Sequence, residues 1–164
     1  MVVHSNWVQK NPHPEQKRVG DCVKRACVLA SEINYHDIAI MLNRYRKVTG
    51  ASRFNSDWHW KKFILDVLNG VDLGNMQYIN RGHRFTVHEY AKLRKNKAIV
   101  QCSKHLVAID GKGHYLDTWD SGEKSIYKAF AIGDYDTIVE HIRQRHPKLC
   151  KGLTLERHKE RGWL

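Results

Sequence analysis

Apolar positions recur at helical spacing through the first part of the chain and at strand spacing later. Val23, Ala26, Cys27, Ala30 and Ile33 mark one face of a helix over about residues 21–33, with Asp21 placed to cap it. Ile38, Ala39, Leu42 and Tyr45 mark a second helix after Asn34, which Gly50 ends. Ser56 is placed to cap a third, with Trp60, Phe63, Ile64, Val67 and Leu68 on one face and Gly70 as its stop. Residues 71–85 carry turn-forming glycines and a short strand at Met76 to Ile79. Thr86-Val87-His88-Glu89 fits a capping box that opens a short helix ending near Asn96.

Beyond residue 97 the period changes. Ala98 to Cys102, Leu106 to Ile109, Tyr115 to Trp119 and Ser125 to Ile132 are short runs rich in apolar or β-branched residues, separated by turn chemistry such as Asp110-Gly111-Lys112-Gly113. A last helix, about Tyr135 to Arg145, turns Ile138, Val139 and Ile142 inward and stops before Pro147. The order predicts an α+β fold of two packed layers, N-terminal helices on a C-terminal antiparallel sheet. Residues 1–15, with Pro12 and Pro14, read as an extended lead-in that Val2, Val3, Trp7 and Val8 can pin to the body. The charged residues 148–164 read as a loosely held basic tail.

A length of 164 residues suits a single domain, 1–164, with a core of its own. No apolar run approaches the roughly 18 residues of a membrane span, and the polar Gln9 to Arg18 stretch does not read as a secretory signal. The expected setting is therefore cytoplasmic (the host cytoplasm if the chain is viral), without a membrane partner. Cys22, Cys27, Cys102 and Cys150 are then free thiols. The net charge of +11 suits an acidic protein or nucleic acid, or simply a solvated surface, and no nucleic-acid fold motif accompanies it.

Cys22 stands in the first turn of the first predicted helix, where unpaired amides and the helix dipole favour a thiolate; the bland alternative is a half-buried structural cysteine. His105 opens the strand that enters the Asp110 to Gly113 turn, and Asp117 and Asp120 follow on the strand that leaves it. A three-residue loop of Gly111, Lys112 and Gly113 sets His105 opposite Trp119 and diagonal to Asp117; a two-residue loop makes Asp120 the diagonal partner. Either carboxylate can fix the imidazole tautomer and leave the other ring nitrogen for a nucleophile. A rival use is metal binding by Cys22, Cys27, Cys102, His105 and His114, although only Cys102 and His105 have tight ligand spacing. The remaining histidines, among them His36, His59, His88 and His146, read as surface residues.

Asp21-Cys22-Val23-Lys24-Arg25-Ala26, His105-Leu106-Val107-Ala108-Ile109-Asp110-Gly111 and Asp117-Thr118-Trp119-Asp120 resemble the motifs of papain-like cysteine peptidases, most of all their small phage and bacterial relatives. The likeness covers about residues 16–130. It implies a papain-like fold and a cofactor-free, metal-free thiol hydrolase, a peptidase or isopeptidase acting on a protein or peptide. Amide transfer and deamidation use the same machinery. It further implies Cys22 as nucleophile, His105 as base and Asp117 rather than Asp120 as the orienting carboxylate, since Asp117-Thr118-Trp119 is similar to the family's Asn-Ser-Trp. Gln16, six residues before Cys22, is the implied oxyanion donor. Val23 and Lys24 depart from the family's usual context after the cysteine, and the substrate groove of larger members has no counterpart here. The alternative is a papain-like shell without turnover that binds an acidic protein or nucleic acid through its basic surface.

Overall fold

The computed structural model describes residues 3–17, 20–50, 57–75 and 82–159. Helix α1 runs over Cys22–Ser31 and ends on Glu32 in the left-handed conformation. Helix α2, Tyr35–Thr49, is capped by the Asn34 side chain, which accepts from the Asp37 N–H, and is closed by Gly50 at φ 74°. Helix α3, Asp57–Lys62, passes directly into a π-helical turn over Phe63–Val67, where the Leu68 N–H reaches back to the Phe63 carbonyl. Short helix α4, Val87–Leu93, begins where the Glu89 carboxylate accepts from the Thr86 N–H, and α5 spans Tyr135–Arg145. The predicted Ser56 cap and the Met76 to Ile79 strand lie outside the described residues.

The strands are β1 (Trp7–Gln9), β2 (Val71–Asn75), β3 (Ala98–Cys102), β4 (His105–Ile109), β5 (Tyr115–Asp117) and β6 (Lys128–Ala131). They form one sheet in the order β1-β5-β4-β3-β6-β2. Its centre is the expected antiparallel run, but β1 from the lead-in joins β5 in parallel, so the sheet is mixed. Trp7 and Val8 do pin the lead-in, by completing an edge that β5 would otherwise leave unpaired.

Two layers do not describe the packing. Residues of α1, α2, α3, the π turn and α5 bury one sheet face together with Ile99, Leu106, Ala108 and Phe130. The other face, with Ala98, Val100, Val107, Ile109, Tyr115 and Ala129, is closed by Val87, Tyr90 and Ala91 of α4. Every residue of β4 is accordingly buried, as a strand covered on both faces must be. At about 25 cal/mol per Å2 of apolar area, each fully buried Ile, Leu or Phe contributes roughly 1.5–3 kcal/mol.

The described part of the tail, residues 148–159, is not loose. Leu149 and Leu155 are buried, the Leu155 N–H donates to Asp37 Oδ2 at 2.8 Å, and the His158 N–H donates to the Glu32 carbonyl at 2.6 Å. Apolar residues dispersed among charges fill the gap beside α1 and α2, a pattern that composition alone conceals.

Candidate active site

Three element termini converge. Cys22 is the first residue of α1, His105 the first of β4 and Asp117 the last of β5. The β4–β5 register pairs Ile109 with Tyr115 and Ala108 with Leu116, and the Asp110 N–H donates to the His114 carbonyl at 3.1 Å. This is the register of the three-residue loop. Gly111 makes that loop possible: its φ is 77°, and a Cβ there would sit 2.6 Å from the Asn96 carbonyl carbon. Continued three residues past Ala108 and Leu116, the register sets His105 opposite Trp119 and makes Asp117 its diagonal neighbour.

The side chains meet accordingly. His105 Nε2 lies 2.6 Å from Asp117 Oδ2, with both residues buried. The same oxygen accepts from Ser121 Oγ at 2.6 Å, and Asp117 Oδ1 accepts from the Thr118 N–H at 2.8 Å. Three donors thus hold the carboxylate in place. With Nε2 engaged, Nδ1 is the nitrogen left for the thiol. The His105 ring and the backbone N–H of Leu106 both act on the Cys22 thiol and stabilise its anion. Trp119 leans on the imidazole, with ring centres 5.0 Å apart, and is itself 44% exposed, so it screens one side of His105 from water.

The electrostatics favour an ion pair. Burial works to raise the Cys22 pKa, but the hydrogen bonds from His105 and Leu106, with the charges of His105 and Arg25, hold it below the ordinary thiol value. Burial likewise works against the His105 cation, yet the bonds to Asp117 and Cys22 raise its pKa to about 9. Cys27 and Cys102 go the other way: burial raises both, Cys102 to about 12. They lie in separate halves of the core on opposite sheet faces, so the rival metal set of Cys22, Cys27, Cys102, His105 and His114 is not assembled.

Asp21 occupies the N-cap position of α1 without capping it. Its carboxylate pairs instead with the buried Arg25 guanidinium and accepts from the Tyr35 hydroxyl at 2.8 Å. A buried guanidinium demands a counter-ion more strongly than helix amides demand a cap, because water solvates the amides. The helix ladder begins at Arg25 N–H to the Asp21 carbonyl, so the Cys22 amide stands ahead of it. Gln16 has φ 56°, and its carboxamide Nε2 donates to the carbonyls of Asn11 (2.9 Å) and His13 (3.1 Å). Asp120 faces away from His105 and takes the His4 and Gly122 amides and the Tyr115 hydroxyl; these donors outweigh burial and lower its pKa to about 2.

Ser121, Arg25 and Tyr35 complete the site without having been anticipated as hydrogen-bond partners. Ser121 lies in an irregular turn, where sequence spacing carries no register. His59 is fully buried beside the Tyr45 ring, contrary to its expected surface position. His88 is half-buried and stacked on His4. Lys10, His13, Gln16, Tyr35, His36 and Thr118 help line a cleft of about 640 Å3 whose walls include no carboxylate; Thr118 follows Asp117 in the chain, but Cys22, His105 and Asp117 themselves do not line it. Among the described residues no helix is long and apolar enough to cross a membrane. Set against protein-family models, curated proteins and solved structures, the chain matches none.

Proposed function

We propose that the chain is a thiol hydrolase of the papain-like kind, a peptidase or isopeptidase that acts through a covalent acyl-enzyme. The observation that carries this reading is the buried Asp117–His105 hydrogen bond, whose imidazole in turn acts on the Cys22 thiol at a helix N-terminus. The Cys22 thiolate attacks a carbonyl carbon, and the Cys22 amide donates to the oxygen as it gains charge. Gln16 is the second oxyanion donor in this scheme, and its carboxamide turns from the Asn11 and His13 carbonyls to serve. His105 Nδ1–H protonates the departing amine as the C–N bond breaks, leaving a thioester. The neutral imidazole then takes a proton from water, whose oxygen attacks the thioester carbon and frees the acid and the thiol. Asp117 holds the ring tautomer throughout.

The carboxylate-free cleft and the net charge of +11 favour acidic peptide segments as substrates. The charge also supports a second reading, a shell without turnover that binds an acidic protein or nucleic acid; its signature is steep salt-dependent binding that Cys22→Ala leaves unchanged.

A peptidyl aldehyde or acyl probe directed at thiols tests the hydrolase. Labelling is expected at Cys22 and is expected to vanish in Cys22→Ala with the fold intact. Labelling at the full rate in that variant rules the proposal out.

A further inference from the structure

Away from the thiol, three segments distant in sequence bring together side chains that the proposed chemistry does not use. His4 precedes β1, His88 lies in the first turn of α4, and Glu123 follows the turn after β5. One potential ligand atom from each lies within 4.8 Å of the other two. We propose that His4, His88 and Glu123 form a binding site for a divalent transition-metal ion of the zinc type.

The surroundings of each residue fit that role. His4 Nε2 is 2.7 Å from Glu123 Oε1, while His4 Nδ1 faces Asp120 Oδ2 at 3.2 Å. Such a ring offers Nε2 to an ion and donates its Nδ1 hydrogen to a carboxylate, the outer contact that orients metal-bound histidines. The His4 backbone N–H also donates to Asp120 Oδ2, at 2.8 Å, so both backbone and ring are fixed. His88 stacks on His4 with ring centres 4.0 Å apart, and its Nδ1 is buried without a hydrogen-bond partner. A buried imidazole nitrogen without a partner is costly unless something coordinates or bonds the ring.

Glu123 is mostly exposed and its carboxylate already meets His4 Nε2, so it stands as the closing ligand, and water completes the shell. Ligand atoms around a tetrahedral zinc stand about 3.4 Å apart, so an ion entering between His4 Nε2 and Glu123 Oε1 parts that 2.7 Å pair by roughly 0.7 Å. Two imidazoles and one carboxylate select a zinc-like ion over calcium or magnesium. Gly122 makes the approach possible, because a Cβ there would lie 2.6 Å from His4 Nδ1.

The ion's role is to staple. It ties the lead-in and α4 to the turn that carries Asp117 and Ser121, the two residues that hold His105. Binding is read without turnover, so the proposal stands or falls independently of the hydrolase reading.

The test is titration of the chelator-treated full-length protein with Zn2+ by calorimetry and with Co2+ by visible absorption. One equivalent is expected to bind, with the intense ligand-field bands of low-coordinate cobalt. Zinc at 100-fold over its Kd is expected to raise Tm by roughly 5–10 °C. His88→Ala and, at the mostly exposed Glu123, Glu123→Gln are each expected to weaken binding at least tenfold, and Cys22→Ala to leave it unchanged. No stoichiometric uptake by the wild type, equal affinity in His88→Ala, or loss of uptake in Cys22→Ala alone would each overturn the proposal.

Discussion

Asp117→Asn alters one oxygen and one charge at nearly constant volume, and its consequences follow from the hydrogen bonds around it. In the wild type, Oδ1 accepts from the Thr118 N–H and Oδ2 accepts from both His105 and Ser121. An asparagine that keeps its oxygen on Thr118 must turn its NH2 toward His105. The ring then accepts at Nε2 and carries its hydrogen on Nδ1, which is the wrong tautomer for a base facing the thiol. The loss is also electrostatic. The rise of the His105 pKa to about 9 from an ordinary value of about 6.5 corresponds to about 3 kcal/mol. Of the contacts that produce the rise, the bond to Asp117 is the largest.

In Asp117→Asn the His105 midpoint is therefore expected to fall by at least about 1 pH unit. Cys22 alkylation near neutral pH is expected to slow by about 30–150-fold, the equivalent of one charge-assisted bond of about 2–3 kcal/mol. Nuclear magnetic resonance of 15N-labelled histidine rings, followed across pH, reads the midpoint and the tautomer together. Asp120→Asn is the control, since Asp120 bonds to His4, Tyr115 and Gly122 rather than His105. An unchanged His105 midpoint in Asp117→Asn, or an equal fall in Asp120→Asn, refutes the reasoning.

Arg25→Met removes the guanidinium partner of the buried Asp21 carboxylate and leaves it the Tyr35 hydroxyl. The expected cost is about 3–5 kcal/mol, a fall in Tm of roughly 6–20 °C by differential scanning calorimetry, and a shift within about 1 °C would contradict the buried-pair account. Leu155→Ala is expected to cost about 2–5 kcal/mol in urea unfolding, because Leu155 has no exposed surface. A loosely held tail predicts no change.

The helices and the sheet centre were legible because their signals are local. Asn34 and Gly50 bound α2 by capping chemistry that acts within a few residues, and the apolar stripe of α1 follows from helical periodicity alone. The His105–Asp117 contact was legible down to a choice of loop length, since a hairpin turns sequence distance into register. The meeting of Cys22 with His105 was not. No local rule joins a helix terminus to a strand 83 positions later in the sequence, and only the family resemblance suggested it. Long-range edge pairing was equally silent: β1 reads as an irregular lead-in because a three-residue strand has too few positions to show alternation. The tail misled through composition, which weighs its many charges equally with the few leucines that dock it. Asp21 misled through context, because its preference for the cap is overruled by an arginine that the fold buries beside it.

The central claim is that Cys22 is a thiolate held by an imidazolium. Mass spectrometry of iodoacetamide labelling across pH, read separately for Cys22, Cys27, Cys102 and Cys150, tests it most directly. The account predicts that Cys22 reacts first, with a midpoint below the ordinary thiol value of about 8.5, while Cys27 and Cys102 stay unlabelled in the folded protein. A Cys22 midpoint at or above that value, unchanged by His105→Ala, contradicts it.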